Sequence, residues 1–371
     1  MRTILFILGL VVVLMTASGV LFVLVLPRRP RGLERTSLWV VALVRRFFVV
    51  LSRLAKSYES KDAILSPTGP ACLVVQLATW AGCFIVGFAL MMNATTHNFV
   101  LALEQATMAL FTVGALHEGG AANLTLDITA GALWVVVVTL QIAYLPSLYA
   151  AFNKREGLVA MLESRSAVPA WGPEILARHQ IVGISDTLPE LYASWEAWSA
   201  DLAESHTTYP VLLFFRSPEA WYSWLIGLLA VLDAAAMHLA LSPSLASSQA
   251  RLSLRMGFTA LNRIALTLGW AVDPDPNPLG PIVLSFEEFD DAVAMLEETG
   301  FPTERSARDA WADFVGWRVN YESVAYRLAD LIEAPPAPWS GPRRHLGLPT
   351  EAPHRPPQRT PRGFSHGGRN D

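Results

Sequence analysis

Long runs of hydrophobic residues without a charged side chain occur at three places in the chain. They cover Ile4–Leu26, Ala71–Met92 and Thr129–Phe152, and each exceeds the roughly 20 residues that a helix needs to cross a bilayer. For the first run a signal peptide is the alternative, with Met15-Thr16-Ala17-Ser18 as its cleavage region. The run continues to Leu26, beyond the length of a signal-peptide core. The pattern therefore predicts three membrane-spanning helices, of which the first is retained.

Another hydrophobic stretch, Leu38–Leu54, contains arginines. Arg46, Arg53 and Lys56 recur at spacings of seven and three, so that they share one face of a helix. A charge at the bilayer centre costs about 2.5–3.5 kcal/mol, which disfavours a span. The pattern predicts an amphipathic helix on the inner membrane surface, and a helix packed against a cytoplasmic domain is the alternative.

A further stretch, Trp221–Leu241, is long enough to span but has Asp233 near its middle. A span here would place Arg251, Arg255 and Arg263 on the outer side. That placement opposes the bias of Lys and Arg toward the cytoplasm. The stretch is therefore predicted to be the buried central helix of a cytoplasmic domain.

The chain from Asn153 onward shows helical periodicity. One buried helix face is predicted from residues that recur every three or four positions: Leu188, Leu191, Tyr192, Trp195, Trp198 and Leu202. Helix starts are predicted at Ser217-Pro218-Glu219 and at Ser285–Glu288. One further helix is predicted over Thr303–Glu333. From residue 334 onward prolines and arginines replace almost all apolar residues, which predicts a disordered tail.

Charge is scarce and unevenly distributed. Charged residues make up 16% of the 371 residues, and the net charge is −4, so no nucleic-acid partner is predicted. Nine Lys and Arg residues lie between Pro27 and Lys61, none lies within 93–128, and Lys154 and Arg155 follow the third run. This bias places the N-terminus outside and the C-terminus in the cytoplasm of a multi-pass cell-membrane protein. The predicted partner of the hydrophobic runs is the lipid bilayer.

No motif of a catalytic or metal site is present in the sequence. A nucleophile elbow, a Walker loop, a dinucleotide fingerprint and a zinc-protease motif are all missing, so an enzyme, a metal site and a cofactor are not predicted. Cys72 and Cys83 lie about 16 Å apart on one predicted helix, too far for a disulfide. His206 and His238 are expected to be structural.

The segment between the second and third runs is itself apolar. Phe99–Phe111 is too short to cross the membrane and too hydrophobic for an open loop. Thr112, Val113 and Gly114 follow it directly. Non-helical backbone at membrane depth is tolerated only where it is enclosed by protein or lines a watery pathway. The pattern predicts a short re-entrant helix followed by extended chain.

The order of outer helix, short helix, Thr-Val-Gly and inner helix resembles the pore domain of potassium channels. In that family the filter reads Thr-Val-Gly-Tyr-Gly, and four copies surround the ions with backbone carbonyls. Thr112, Val113 and Gly114 match, whereas Ala115 replaces the aromatic residue and Leu116 replaces the second glycine. Because leucine disfavours the positive φ that glycine allows, Leu116 argues against an intact outer filter ring.

The resemblance implies a homotetramer in which Thr112, Val113, Gly114, Ala115 and Leu116 line the ion pathway. Potassium ions in the pore would be the only bound species. The candidate hinge or cavity residues of the inner helix are Gly131, Gln141 and Pro146. Pro146 would bend the helix at a gate or form an ordinary kink. Gln141 would face a water-filled cavity or bond to a neighbouring helix.

The whole chain also resembles a group of uncharacterised bacterial channel-like membrane proteins that share a segment like Ser205–Ser217. The predicted fold is an all-α integral membrane protein in five parts. These are an N-terminal transmembrane anchor at 1–30, a cytoplasmic or interfacial amphipathic segment at 31–70, a channel-like pore unit at 71–152, a helical cytoplasmic domain at 153–333 and a disordered Pro/Arg-rich tail at 334–371.

The expected function is the conduction of monovalent cations, potassium in particular, through a tetrameric pore. The alternative, which Leu116 favours, is a non-conducting scaffold or sensor that acts through its cytoplasmic helical domain. A membrane-anchored enzyme would need a cluster of titratable residues that the sequence does not show. The sequence does not identify a cytoplasmic partner.

Overall fold

The computed structural model describes residues 2–25, 36–111 and 120–341, and no strand occurs among them. This confirms the all-α prediction. The α-helices are α1 Arg2–Leu24, α2 Thr36–Ser52, α3 Tyr58–Leu65, α4 Thr68–Thr96, α5 Phe99–Leu110, α6 Gly120–Leu162, α7 Gly172–Val182, α8 Leu188–Thr208, α9 Trp224–Leu241, α10 Ser248–Thr267, α11 Phe286–Glu298, α12 Ala307–Arg318 and α13 Glu322–Ile332. Short 3-10 helices lie at Ser185–Thr187 and Pro210–Phe214.

Four helical segments are long and apolar enough to cross a membrane. They are α1, the segment Tyr58–Thr96 that contains α4, α6, and α9. Only 17% of the most apolar window of α1 and 28% of that of α6 is buried by protein, whereas all of α9 is buried. The segment around α4 and helix α6 contain the second and third predicted spans, and α1 covers the first up to Leu24. These three are compatible with a multi-pass membrane protein. Helix α9 is enclosed by protein on every side, as predicted for a central helix.

The chain separates into two compact units. The first unit comprises Met1–Gly157, Asp201–Ala220 and Arg263–Trp270. The second unit comprises Leu158–Ala200, Trp221–Asn262 and Ala271–Asp371. The first unit therefore contains α1 to α5 and most of α6, and α9 lies in the second unit.

Helix α1 packs closely against α4 in the first unit. A Cβ atom on Gly9 would lie 2.4 Å from the carbonyl oxygen of Gly87, so the two backbones touch where neither residue has a side chain. Val13 and Val20 continue the buried face of α1. Close contact at small residues is typical of helices that associate within membranes. The packing makes α1 an integral part of the first unit.

Helix α5 confirms the short helix predicted at Phe99–Phe111. Asn98 caps its start, because its side-chain oxygen accepts hydrogen bonds from the backbone N–H groups of Val100 and Leu101. One face of the helix is buried and packs in the same hydrophobic cluster as α4. The buried residues are Ala102, Gln105, Ala106, Ala109 and Leu110.

Two predicted helix boundaries are wrong. No helix begins at Ser217: α9 begins at Trp224, after the cap residue Ser223. The chain before Ser217 folds into the buried 3-10 helix Pro210–Phe214, and the Ser217 hydroxyl is enclosed instead of capping a helix. The helix predicted over Thr303–Glu333 is divided into α12 and α13. Tyr321, at the break, is fully buried and donates a hydrogen bond to Asp233.

The prediction that disorder begins at residue 334 is wrong for residues 334–341. Ala334, Ala337 and Trp339 are buried. The Trp339 ring packs against Trp171 and Phe314, so this short segment buries enough apolar surface to be held in place. Residues 342–371 lie outside the described part of the chain.

Candidate functional site

The filter-like residues Thr112, Val113, Gly114, Ala115 and Leu116 lie outside the described residues. The structure describes the elements on both sides of them. Helix α5 ends at Leu110, and α6 begins at Gly120. The ring of Phe111, the last described residue before the gap, lies edge-on to Trp134 of α6 at 5.8 Å. The two flanking elements thus belong to one packed structure.

A buried polar pair ties α5 to α6. The Gln105 amide nitrogen donates to both carboxylate oxygens of Asp127, at 3.2 and 2.9 Å. Gln105 is fully buried and Asp127 is 6% exposed. The Gln105 side-chain oxygen has no hydrogen-bond partner among the described residues. Because buried polar groups are costly unless bonded, the pair fixes how α5 is rotated against α6.

The candidate inner-helix residues occupy different faces of α6. Gly131 and Gln141 lie on the buried face, together with Val137 and Tyr144. Pro146 lies on the exposed face, and the helix continues through it. The position of Gln141 therefore favours contact with neighbouring helices of the same chain over a water-filled cavity.

The exposed face of α6 is mainly apolar. The side chains of Val135, Val136 and Ile142 are between 52% and 64% exposed. Thr139 lies on the same face, and its hydroxyl donates back to the Val135 carbonyl at 2.7 Å. This is the face of the third predicted span that remains for lipid or for another copy of the chain.

A buried arginine lies at the base of α6, beyond the third predicted span. Arg155 is 3% exposed. Its Nη1 donates to the Leu212 carbonyl at 2.9 Å, and its Nη2 donates to the Phe215 carbonyl at 2.7 Å. Its Nε donates to Glu156 at 2.7 Å. The guanidinium therefore joins the end of α6 to the 3-10 helix and the residue that follows it. We call this group the Arg155 cluster.

His206 completes the Arg155 cluster. Its Nε2 lies 3.2 Å from Nη1 of Arg155, and a guanidinium can only donate, so Nε2 accepts and carries no proton. The proton then lies on Nδ1, which donates to the Leu202 carbonyl at 3.2 Å. Burial and the adjacent Arg155 lower the pKa of His206 well below its usual value. The imidazole is therefore neutral, and its expected structural role has a defined partner.

The segment Ser205–Ser217 makes further anchoring contacts within the first unit. Arg216 pairs with Asp62 and also donates to the Tyr58 hydroxyl, both on α3. The Phe215 ring lies so close to Gly69 that a Cβ there would be 2.4 Å from it. Tyr209 packs edge-on against Tyr144 of α6 at 5.3 Å. The segment thus fastens α3 and the beginning of α4 to the C-terminal half of α6.

A second buried charge cluster lies in the second unit around Arg318. Its guanidinium pairs with Asp233 of α9 and with Glu322 of α13. Its remaining nitrogen donates to the Tyr326 hydroxyl at 2.8 Å and to the Trp339 carbonyl at 2.7 Å. Burial alone would lower the pKa of Arg318, but Asp233, the tyrosines and Glu322 raise it well above its usual value. Each nitrogen of this guanidinium has an acceptor, which suits a structural core.

The sequence contains a weak signal for these clusters. Arg155 extends the stripe of buried residues on α6, seven positions after Leu148 and four before Val159. Arg318 and Glu322 stand four positions apart. A charged residue in phase with an apolar helix face indicates a buried partner, but the spacing alone does not identify that partner.

Comparisons with known proteins do not assign the chain to a family. No protein-family model, no curated protein and no solved structure matches it. Within residues 2–25, 36–111 and 120–341, no group of three or more His, Cys, Asp or Glu side chains is arranged to hold a metal ion. The functional conclusion therefore depends on the arrangement of α4, α5 and α6.

Proposed function

We propose that the first unit forms one quarter of a homotetrameric pore that conducts monovalent cations, potassium in particular. Helix α5 carries this proposal. It is an apolar helix of 12 residues, so it extends about 18 Å at 1.5 Å per residue. That length reaches only partway across a hydrocarbon core of about 30 Å. An apolar helix of this length between two spans is what a re-entrant pore helix requires.

The length of the following segment supports the same arrangement. Nine residues, 111–119, join the end of α5 to the start of α6. Fully extended, nine residues reach at most about 30 Å, enough to return from mid-membrane to the outer surface. This segment contains Thr112, Val113 and Gly114, whose backbone carbonyls would replace the water around an ion. A single copy supplies only one of the segments that would surround the ion, so conduction requires the oligomer.

The first test is ion flux from liposomes that contain the purified full chain, with potassium and sodium gradients measured separately. Potassium-selective flux is expected from a particle of four times the mass of the chain. Gly114→Ala should abolish the flux, because an added Cβ disfavours the carbonyl orientation that a filter needs. Gly82→Ala is the matched control, since a Cβ at Gly82 meets no atom within 4 Å. A folded monomer without flux would refute the proposal.

The second candidate function is a non-conducting membrane scaffold or sensor. Leu116 favours it, since leucine stands where the resemblance calls for a filter glycine. The double variant Ala115→Tyr, Leu116→Gly distinguishes the two functions. If the wild-type tetramer gives no flux and the double-variant tetramer conducts, the wild type has a pore fold that has lost conduction.

A further inference from the structure

The surface of helix α2 consists of three stripes of residues. One stripe is buried in the first unit: Val44 is 7% exposed and Ser52 is 2% exposed, and Val40, Val41 and Phe48 pack in the same hydrophobic cluster. The second stripe is apolar and exposed. On the helix it consists of Trp39, Leu43, Phe47 and Val50, at spacings of four, four and three and with exposures of 53–76%. Leu54, which is 77% exposed, follows in the turn after the helix.

The third stripe is basic. Arg46 lies on α2, at the edge of the apolar exposed stripe, and Arg53 follows the last residue of the helix directly. Both side chains are exposed. The surrounding sequence also has a net positive charge. Between Pro27 and Tyr58 there are eight basic residues and one acidic residue, Glu34. An apolar stripe bordered by cations has the chemistry of a helix that lies in a membrane interface.

We propose that α2 lies in the cytoplasmic leaflet, with its exposed apolar stripe among acyl chains and with Arg46 and Arg53 bound to the headgroups of anionic phospholipids. Helix α2 packs against α4, which contains the second predicted span. This contact holds α2 beside the bilayer. The inference concerns lipid binding alone and does not depend on whether the protein conducts ions.

Charge favours lipid over a second copy of the chain as the partner of this stripe. Two α2 helices that met through their exposed stripes would bring Arg46 and Arg53 of one copy near those of the other. Like charges at such a contact oppose association. The surface of a leaflet rich in anionic lipid has the complementary, negative charge. Each Lys or Arg near such a surface increases the affinity for it about fivefold.

The position of the stripe is tested with the full chain in nanodiscs of phosphatidylcholine and phosphatidylglycerol. Cys72 and Cys83 are replaced by alanine, and an environment-sensitive fluorophore is attached to a cysteine introduced by Phe47→Cys. The matched control carries the fluorophore on the same helix, at a cysteine introduced by Arg46→Cys. The probe at 47 should be quenched by lipids brominated on their acyl chains, and the probe at 46 by aqueous iodide. Equal iodide quenching at both positions, or a disulfide between two copies at position 47, would overturn the proposal.

The lipid class is tested by native mass spectrometry of the full chain after brief delipidation. Phosphatidylglycerol should be retained in preference to phosphatidylcholine. The double variant Arg46→Gln, Arg53→Gln should lower its binding about 25-fold, as expected for two removed charges. Arg251→Gln, Arg255→Gln is the control, because both arginines are exposed on α10. Equal retention of the two lipids, or an equal effect of both double variants, would refute the assignment.

Discussion

Replacing Arg155 with methionine tests whether the Arg155 cluster holds the base of α6. Methionine keeps much of the side-chain length but donates no hydrogen bond. The carbonyls of Leu212 and Phe215 would each lose a charged donor, and the Nε2 atom of His206 would lose the hydrogen bond that Arg155 donates to it. Enclosure of the guanidinium prevents water from replacing these contacts, because Arg155 is 3% exposed.

The magnitude follows from the burial of these groups. Hydrogen bonds to charged groups contribute about 1.5–3 kcal/mol each. Removing the buried charge also relieves a desolvation penalty, so the sum of the bonds overstates the loss. Breaking a buried charged cluster by removing one partner typically lowers the free energy of unfolding by about 3–5 kcal/mol. Arg155→Lys should lose about half as much, since one ammonium cannot reproduce the planar fork of donors.

The assay is thermal unfolding of the full chain in detergent, followed by circular dichroism. We expect Arg155→Met to lower Tm by about 5–10 °C. Lys154→Met is the matched control: its ion pair with Asp201 spans 2.6 Å, but the side chain is 66% exposed, and such pairs contribute about 0–1 kcal/mol. If Arg155→Met costs no more than Lys154→Met, the cluster does not stabilise the protein.

Three further predictions follow from the same structure. Because burial and Arg155 lower the pKa of His206 in the folded chain, unfolding takes up a proton below about pH 6.5, so stability falls as pH decreases. His206→Gln, which retains an acceptor, should reduce that slope by up to about 1.4 kcal/mol per pH unit in denaturant titrations, and an unchanged slope would contradict a neutral His206 in the folded chain. Arg318→Met should lower the free energy of unfolding by about 3–5 kcal/mol, and Asp233→Asn by less, because Arg318 keeps Glu322; equal losses in denaturant titrations would refute this order. Gly87→Val should separate α1 from α4 and increase protease access to α1, because a Cβ at Gly87 would lie 2.8 Å from the Val13 side chain. Gly82→Val should not, because a Cβ at Gly82 meets no atom within 4 Å.

Local sequence signals predicted the elements that depend on near neighbours. The length and composition of the apolar runs were sufficient for α1, α4 and α6, because crossing a bilayer is a requirement on one continuous segment. The helix start at Ser285 also depends only on residues close in the sequence. Its hydroxyl accepts from the N–H of Glu288, whose carboxylate accepts from the N–H of Ser285, as a capping box requires.

The features that the sequence did not predict depend on distant residues. Ser217 has the composition of a helix cap, but the buried 3-10 helix before it decides its position. The break before α13 places the Tyr321 hydroxyl on Asp233, 88 residues away. Arg155 looked like one of two cytoplasmic charges at the end of a span, yet Lys154 is exposed and Arg155 is buried. Only the contact between α6 and a segment some 60 residues later separates the two.

The enclosure of α9 has a consequence for the order of events during synthesis. Its partner Arg318 follows Asp233 by 85 residues, and a ribosome adds about 5–20 residues per second. For some 4–17 seconds, α9 is therefore an apolar stretch of span length that carries an uncompensated carboxylate. During that interval the salt bridge does not exist. The insertion machinery meets the bare cost of Asp233, because Arg318 is synthesised only after α9.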